Sequence, residues 1–293
     1  MATGFSKNEL NYARKKYYGK SHVFSENNNI FQKLINYTLT RTYYAKYTTL
    51  NIKRKIFRLC KILFLIKKKE QKKFDFYVNL NNETIQKISE ELKAKDYTYA
   101  ENFLTEESYQ FLLDTWPDIN HFNHNKKVIK HYNSGFQYDH ESVPLENTFK
   151  LYPQEFGLKK FYKFLIGEKF KNFFSKLLDG EGKNFFVSTI LSTMAHNDSY
   201  LIPHYDGIAD DVKFKEAYNF IFFIDGYEKN LSTGGGTGIY QDNEFRKPLL
   251  MPKTIKNSIL IYNTKSSNFF HGFKNIDYPK NIYRKTINFQ IWI

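Results

Sequence analysis

The hydrophobic positions change period part-way along the chain. Ile85, Ile88 and Leu92 recur at helical spacing, which predicts a helix over 82–93 with Asn81 or Asn82 as its cap. Thr105-Glu-Glu-Ser-Tyr-Gln-Phe-Leu-Leu-Asp114 predicts a second helix, opened by a threonine cap with acids in its first turn. Residues 154–178 carry Phe156, Leu158, Phe161, Phe164, Leu165, Phe170, Phe173 and Phe174, the mark of one or two buried helices. The run 97–104 reads as a strand, and 118–150, rich in His, Asn and Asp, reads as loops. From about residue 185 the period becomes two. Residues 185–193, 217–224, 238–240, 258–262 and 284–293 are β-branched or aromatic runs between Gly, Asn and Asp turns. Helices first and strands last predict an α+β chain whose C-terminal core is a β-barrel or sandwich.

Composition narrows this. The 293 residues are 41% hydrophobic and 18% aromatic, ample for a packed core and against a disordered chain. The single cysteine, Cys60, excludes an internal disulfide and a Cys-rich zinc site. Any metal must be held by His and carboxylate, and the reducing cytoplasm is the simplest location. No apolar run reaches membrane-spanning length, and no apolar segment of a secretory signal follows Met1.

The net charge of +14 is unevenly placed. Residues 1–73 hold 18 Lys and Arg against Glu9, Glu26 and Glu70, a net of +15, which leaves −1 for 74–293. Within this basic extension, 51–73 predicts a basic helix around the apolar run 56–66. Two readings stand: a helix lying on an anionic membrane surface, or a solvated helix packing its Leu, Ile and Phe side on the following domain. Nucleic acid is disfavoured, because no reader motif accompanies the charge. Cys60 reads most simply as packing.

The candidate chemistry lies in Ser199-Tyr-Leu-Ile-Pro-His-Tyr-Asp-Gly207. In a strand, His204 and Asp206 share a face. They supply two-thirds of a two-His-one-carboxylate triad, which leaves positions open on Fe(II). A second His-x-Asp, His196 with Asp198, is assigned to loop or cavity lining. The third ligand must come from a later strand, and His271 follows the run 258–262. In the last strand Arg284, Thr286, Asn288 and Gln290 share one face, while Ile287, Phe289, Ile291 and Ile293 share the other. One side lines a polar cavity and the other packs on helices. Arg284 with Thr286 is shaped to hold a carboxylate. His121, His124, His131 and His140 read as solvated loop histidines.

The order His-x-Asp, Gly-Gly, His, Arg-x-Thr resembles the Fe(II)- and 2-oxoglutarate-dependent oxygenases, in particular the prolyl 4-hydroxylase-like superfamily. Pro203-His-Tyr-Asp206, Tyr218 to Asp225 followed by Gly234 to Tyr240, Asn257 to Tyr262 with His271, and Arg284-Lys-Thr286 carry the likeness over residues 96–293. The resemblance implies a double-stranded β-helix (jelly-roll, cupin-like) core with flanking helices at 96–293, behind a basic, partly helical extension at 1–95. It implies Fe(II) on His204, Asp206 and His271, and 2-oxoglutarate held by Arg284 and Thr286. O₂ is the cosubstrate, and ascorbate is a further candidate cofactor. Many prolyl hydroxylases bind the cofactor with a tyrosine where this chain has Leu201; here Tyr200 takes that part, one residue earlier. The reaction implied is hydroxylation, with decarboxylation of 2-oxoglutarate to succinate and CO₂. The substrate is unidentified: a small molecule, a glycan precursor or a protein side chain. Gln290 stands where alkylation-repair oxygenases have a second arginine, which argues against nucleic-acid demethylation. Retention of Asp206 disfavours halogenation. The alternative in another class is a catalytically silent β-helix module whose basic arm docks on a membrane surface or polyanion. The Gly234–Gly236 loop lacks a phosphate-cradle ending and is assigned a turn role.

Overall fold

The computed structural model describes residues 49–57, 59–60, 74–128, 137–144, 157–178, 186–195, 199, 201–204, 216–228, 235–242, 245–266, 268–274 and 276–293. Tyr200, Asp206, Gly234, His131, and the pair His196 and Asp198 lie outside the described residues, as do 1–48 and 61–73 of the basic extension.

Helix α1 occupies 49–57 and continues at 59 and 60. Helix α2 (Asn82–Lys95) is capped by Asn81, whose side chain accepts from the Thr84 N–H. Helix α3 (Glu106–Asp114) is capped by Thr105, which accepts from the Ser108 N–H. Each cap satisfies a donor that the first turn cannot. The phenylalanine-rich stretch forms α4 (Gly157–Leu165) and α5 (Glu168–Leu177). Their apolar residues fall on one stripe: Leu158, Phe161 and Leu165, then Phe170, Phe173, Phe174 and Leu177, all buried.

The strands are β1 (Tyr97–Ala100), β2 (Asn123–Val128), β3 (Gln137–Pro144), β4 (Phe186–Ala195), β5 (Leu201–His204), β6 (Ala217–Asp225), β7 (Gly238–Tyr240), β8 (Pro248–Leu250), β9 (Ser258–Asn263), β10 (Phe270–Phe273) and β11 (Arg284–Trp292). They form a seven-stranded sheet, β1-β9-β6-β11-β4-β3-β2, and a four-stranded sheet, β5-β10-β7-β8. All pairings are antiparallel.

Two cores follow from the alternation of the central strands. On the outer face of the large sheet, Phe220, Phe222, Ile259, Ile261, Ile287, Phe289 and Ile291 pack against the helices. Phe289 stacks on Phe220 at 5.0 Å and meets Phe170 edge-on at 5.6 Å. On the inner face, Ile221, Phe223, Leu260 and Tyr262 meet Ile239 and Phe273 of the small sheet. The strand β11 is thus two-sided as its sequence predicts, with Arg284 and Thr286 inside. Residues 74–95 join the outer core through Phe76, Ile85, Ile88 and Leu92, and Val78 bridges Leu104.

Several expectations are corrected. The span 118–150, read as loops, contains the hairpin β2–β3. His124 and His140 therefore sit on strands, and His121 is 2% exposed rather than solvated. His271 lies within a strand of its own, β10. Cys60 is exposed rather than packed.

The start of β9 is tied to the segment before α3 by Asn257, which adopts the left-handed conformation (φ 45°). Its amide donates to the Leu104 carbonyl at 2.9 Å, and its side-chain oxygen accepts from the Leu104 N–H at 2.8 Å. Asn257→Ala would leave both groups of Leu104 buried without these partners and keep the left-handed backbone. A loss of about 2–4 kcal/mol is expected, read as a drop in melting temperature. Asn257→Gly should recover the backbone part alone.

Candidate active site

The site is built where the two sheets face each other. β10 pairs with β5 so that His271 stands directly opposite His204. Directly paired antiparallel residues bring their side chains together on one face. The two rings lie 4.1 Å apart, centroid to centroid, inclined at 55°. Both are buried, at 4% and 3% exposure. Two histidines far apart in sequence are thus brought to one spot inside the protein.

His271 is held in a chain of polar groups. Its Nε2 lies 2.9 Å from the Tyr262 hydroxyl, and the Asn219 amide donates to that hydroxyl at 2.6 Å. A neutral imidazole with a lone pair on one ring nitrogen is the form a metal takes. Tyr262 and Asn219 follow from the strand alternation of β9 and β6, yet neither is legible as a site residue without the pairing that brings them to His271.

Arg284 begins β11 and is 3% exposed. Its Nε donates to the Gly235 carbonyl. One terminal nitrogen donates to Thr237 Oγ1 at 2.7 Å, and the other reaches Thr286 Oγ1 at 3.4 Å. Thr286 is itself bonded to Thr193 on β4 at 2.6 Å. The guanidinium lies 4.5 Å from the Phe273 ring centre and 5.4 Å from that of Phe223. Among the described residues no carboxylate forms an ion pair with it. Burial pushes its pKa down to about 10, opposed by the nearby Tyr278 phenol. It remains a cation at neutral pH. Gly235 is the turn residue expected of its loop, at φ +91°, and a Cβ there would strike the Tyr278 hydroxyl.

The arginine and the histidines belong to one interior. Thr237, which binds Arg284, is two residues before Ile239, and Ile239 pairs with His271. Two strand residues span about 7 Å. Asn288, on the Arg284 face of β11, adds a buried side-chain oxygen with no hydrogen-bond partner among the described residues. The structure therefore brings together His204, His271, Arg284 and Thr286 among the residues singled out from sequence. Asp206 is two residues beyond His204, outside the described residues with Tyr200. Among the described residues there is no group of three or more metal-binding side chains.

The donor set fits the groups the resemblance implies. Two buried, adjacent imidazoles are the nitrogen ligands a divalent first-row metal takes. A buried guanidinium with no counter-charge among the described residues suits a carboxylate.

No protein-family model and no curated protein matches the chain. Solved structures do. A non-haem α-ketoglutarate-dependent epimerase from nogalamycin biosynthesis superposes with a TM-score of 0.50 at 10% identity, over 72% of this chain and 83% of that one. A prolyl hydroxylase from Trichoplax adhaerens, in complex with a hypoxia inducible factor peptide fragment, gives 0.48 at 11% identity, over 72% and 89%. A Pseudomonas putida prolyl-4-hydroxylase gives 0.47 at 9%, over 71% and 97%. The fold matches that of the epimerase, a double-stranded β-helix core with flanking helices.

Proposed function

We propose that this protein is an Fe(II)- and 2-oxoglutarate-dependent dioxygenase, an oxidoreductase that hydroxylates a C–H bond of its substrate. The observation that carries this reading is Arg284. A buried cation costs several kcal/mol unless it is paired, and no described carboxylate pairs with it. It stands in the same interior as a directly paired His204 and His271. A dicarboxylate ligand resolves both features: one end meets the guanidinium and the other reaches the histidines.

In this reading His204 and His271 hold iron with Asp206, which the sequence motif supplies. Arg284 and Thr286 bind and orient the distal carboxylate of 2-oxoglutarate, and Tyr200 assists cofactor binding. When bound, iron supplies a centre for O₂ activation coupled to decarboxylation of 2-oxoglutarate to succinate and CO₂. Tyr262, bonded to Nε2 of His271, would orient that imidazole toward the metal it would hold. Phe223 and Phe273 shield the guanidinium from water, which strengthens its hold on an anion.

The test is an anaerobic titration of the purified chain with Fe(II) and 2-oxoglutarate, followed by the weak visible charge-transfer absorption of the chelate. The absorption is expected in the native chain, absent in His204→Ala and weakened in Arg284→Ala. A folded native chain without it would leave the reading without support and favour a silent binding module.

A further inference from the structure

We propose that α1 docks this protein on an anionic lipid surface, lying on it rather than crossing it. The inference does not depend on the oxygenase chemistry. It starts from a reversal of the usual amphipathic pattern. A helix that packs on its own domain turns its apolar stripe inward. Here Arg54 points inward: it is 7% exposed and donates to the Phe122 carbonyl at 3.3 Å. Phe57 meets His121 edge-on at 6.0 Å on that side. Ile52, Ile56 and Leu59, at spacing i, i+4 and i+7, form a file that faces out, at 53%, 55% and 45% exposure. The reading in which this segment packs its apolar side on the domain is thus corrected for these residues.

The flanks of the file name its occupant. At 3.6 residues per turn, Lys53 falls to one side of the Ile52–Ile56–Leu59 line and Lys55 to the other, and both are exposed. An aliphatic ridge flanked by an ammonium group on each side matches a headgroup layer. The ridge enters the acyl boundary while the lysine stems reach up to lipid phosphates. The charge is concentrated in the part of the sequence that contains α1, with +15 over residues 1–73 against −1 for the rest. The file is convex and one residue wide, so it lacks the groove that would grip a partner helix. Among the described residues, no helix is long and apolar enough to cross a membrane.

The test is co-sedimentation of the full chain with phosphatidylcholine vesicles, with and without phosphatidylserine, at physiological salt. Binding is expected only with phosphatidylserine, weakening as salt rises. The double variants Ile52→Glu/Ile56→Glu and Lys53→Glu/Lys55→Glu should each lower the partition coefficient about tenfold or more. Both should melt at the native temperature, since the altered side chains are exposed. Failure of the folded native chain to sediment would overturn the proposal. So would undiminished binding by the isoleucine variant, which would place the contact elsewhere. A marked loss of stability in that variant would mean that the file is internal packing. A dimer abolished by it, without vesicle binding, would assign the file to a second copy.

Discussion

Arg284→Met is expected to raise the melting temperature of the ligand-free protein by a few degrees while abolishing its response to 2-oxoglutarate. The guanidinium is 3% exposed, and among the described residues it has no carboxylate partner. An ion buried without a counter-charge carries a desolvation cost of several kcal/mol, which an apolar side chain of similar volume does not. Phe223 and Phe273 already provide an apolar bed for a thioether. Against this, the Gly235 carbonyl and Thr237 hydroxyl lose a donor, which limits the gain. Burial lowers the folded pKa of Arg284 from its ordinary value to about 10, so the penalty is fully present below pH 10. It fades as pH rises through that window, because there the unfolded chain binds the proton and the folded one does not. The stability gap between Met variant and native chain should therefore be constant at neutral pH and narrow above pH 10. Ligand reverses the order. At a hundredfold excess over Kd, 2-oxoglutarate should stabilise the native chain by about 2.7 kcal/mol, a rise of several degrees, and leave the Met variant unmoved. Turnover of 2-oxoglutarate should fall on the order of 10²–10³-fold, as when one partner of a buried charged pair is removed. A Met variant that melts below the native chain and still shifts with 2-oxoglutarate would show that Arg284 is structural.

That arginine was legible in the sequence because β11 is a long strand with a clean period of two. Arg284, Thr286 and Asn288 alternate with Ile287, Phe289 and Ile291, and only the latter three belong to the outer core. His204 and His271 were legible as residue types in order, and the pairing β5–β10 turned the order into contact. The β2–β3 hairpin was missed for a physical reason. Neither Asn123–Val128 nor Gln137–Pro144 alternates apolar with polar residues, so at the edge of the sheet the signal of a half-buried strand is absent. β10 is only Phe270–Phe273, too short for any period. Tyr262 and Asn219 reach His271 from two other strands, a relation that exists only once the register is set. The outward file of α1 was hidden differently. Its spacing is that of a core-facing stripe, and only the inward Arg54 reveals that it is turned over.

Gly272→Ala is expected to damage the histidine pair without touching either imidazole. A Cβ at Gly272 would lie 2.6 Å from the Leu201 carbonyl oxygen, 2.8 Å from Pro203 N and 2.9 Å from Pro203 Cα. All three are backbone atoms, so no side chain can swing aside. The register explains the closeness: β10 pairs His271 with His204 but Phe273 with Leu201, an irregularity that sets an extra residue of β5 against Gly272. Relief requires β10 and β5 to move apart, and those strands are what place His271 opposite His204. Overpacking of this kind costs about 1–3 kcal/mol, and the melting temperature should drop by several degrees. The larger effect should be on the metal. Ligand distances tolerate only a few tenths of an ångström, so Fe(II) affinity should fall tenfold or more. The catalytic rate should fall about a hundredfold, as for a displacement near 1 Å. Gly238→Ala is the control, since Gly238 pairs with Gly272 across β7 and β10. Its added Cβ would meet the Met251 sulfur at 2.4 Å and the Tyr240 phenol, side-chain ends that can yield. A smaller loss of metal affinity is expected there. If Gly238→Ala impairs Fe(II) binding while Gly272→Ala binds and melts like the native chain, the close approach of β10 to β5 does not set the geometry of the site.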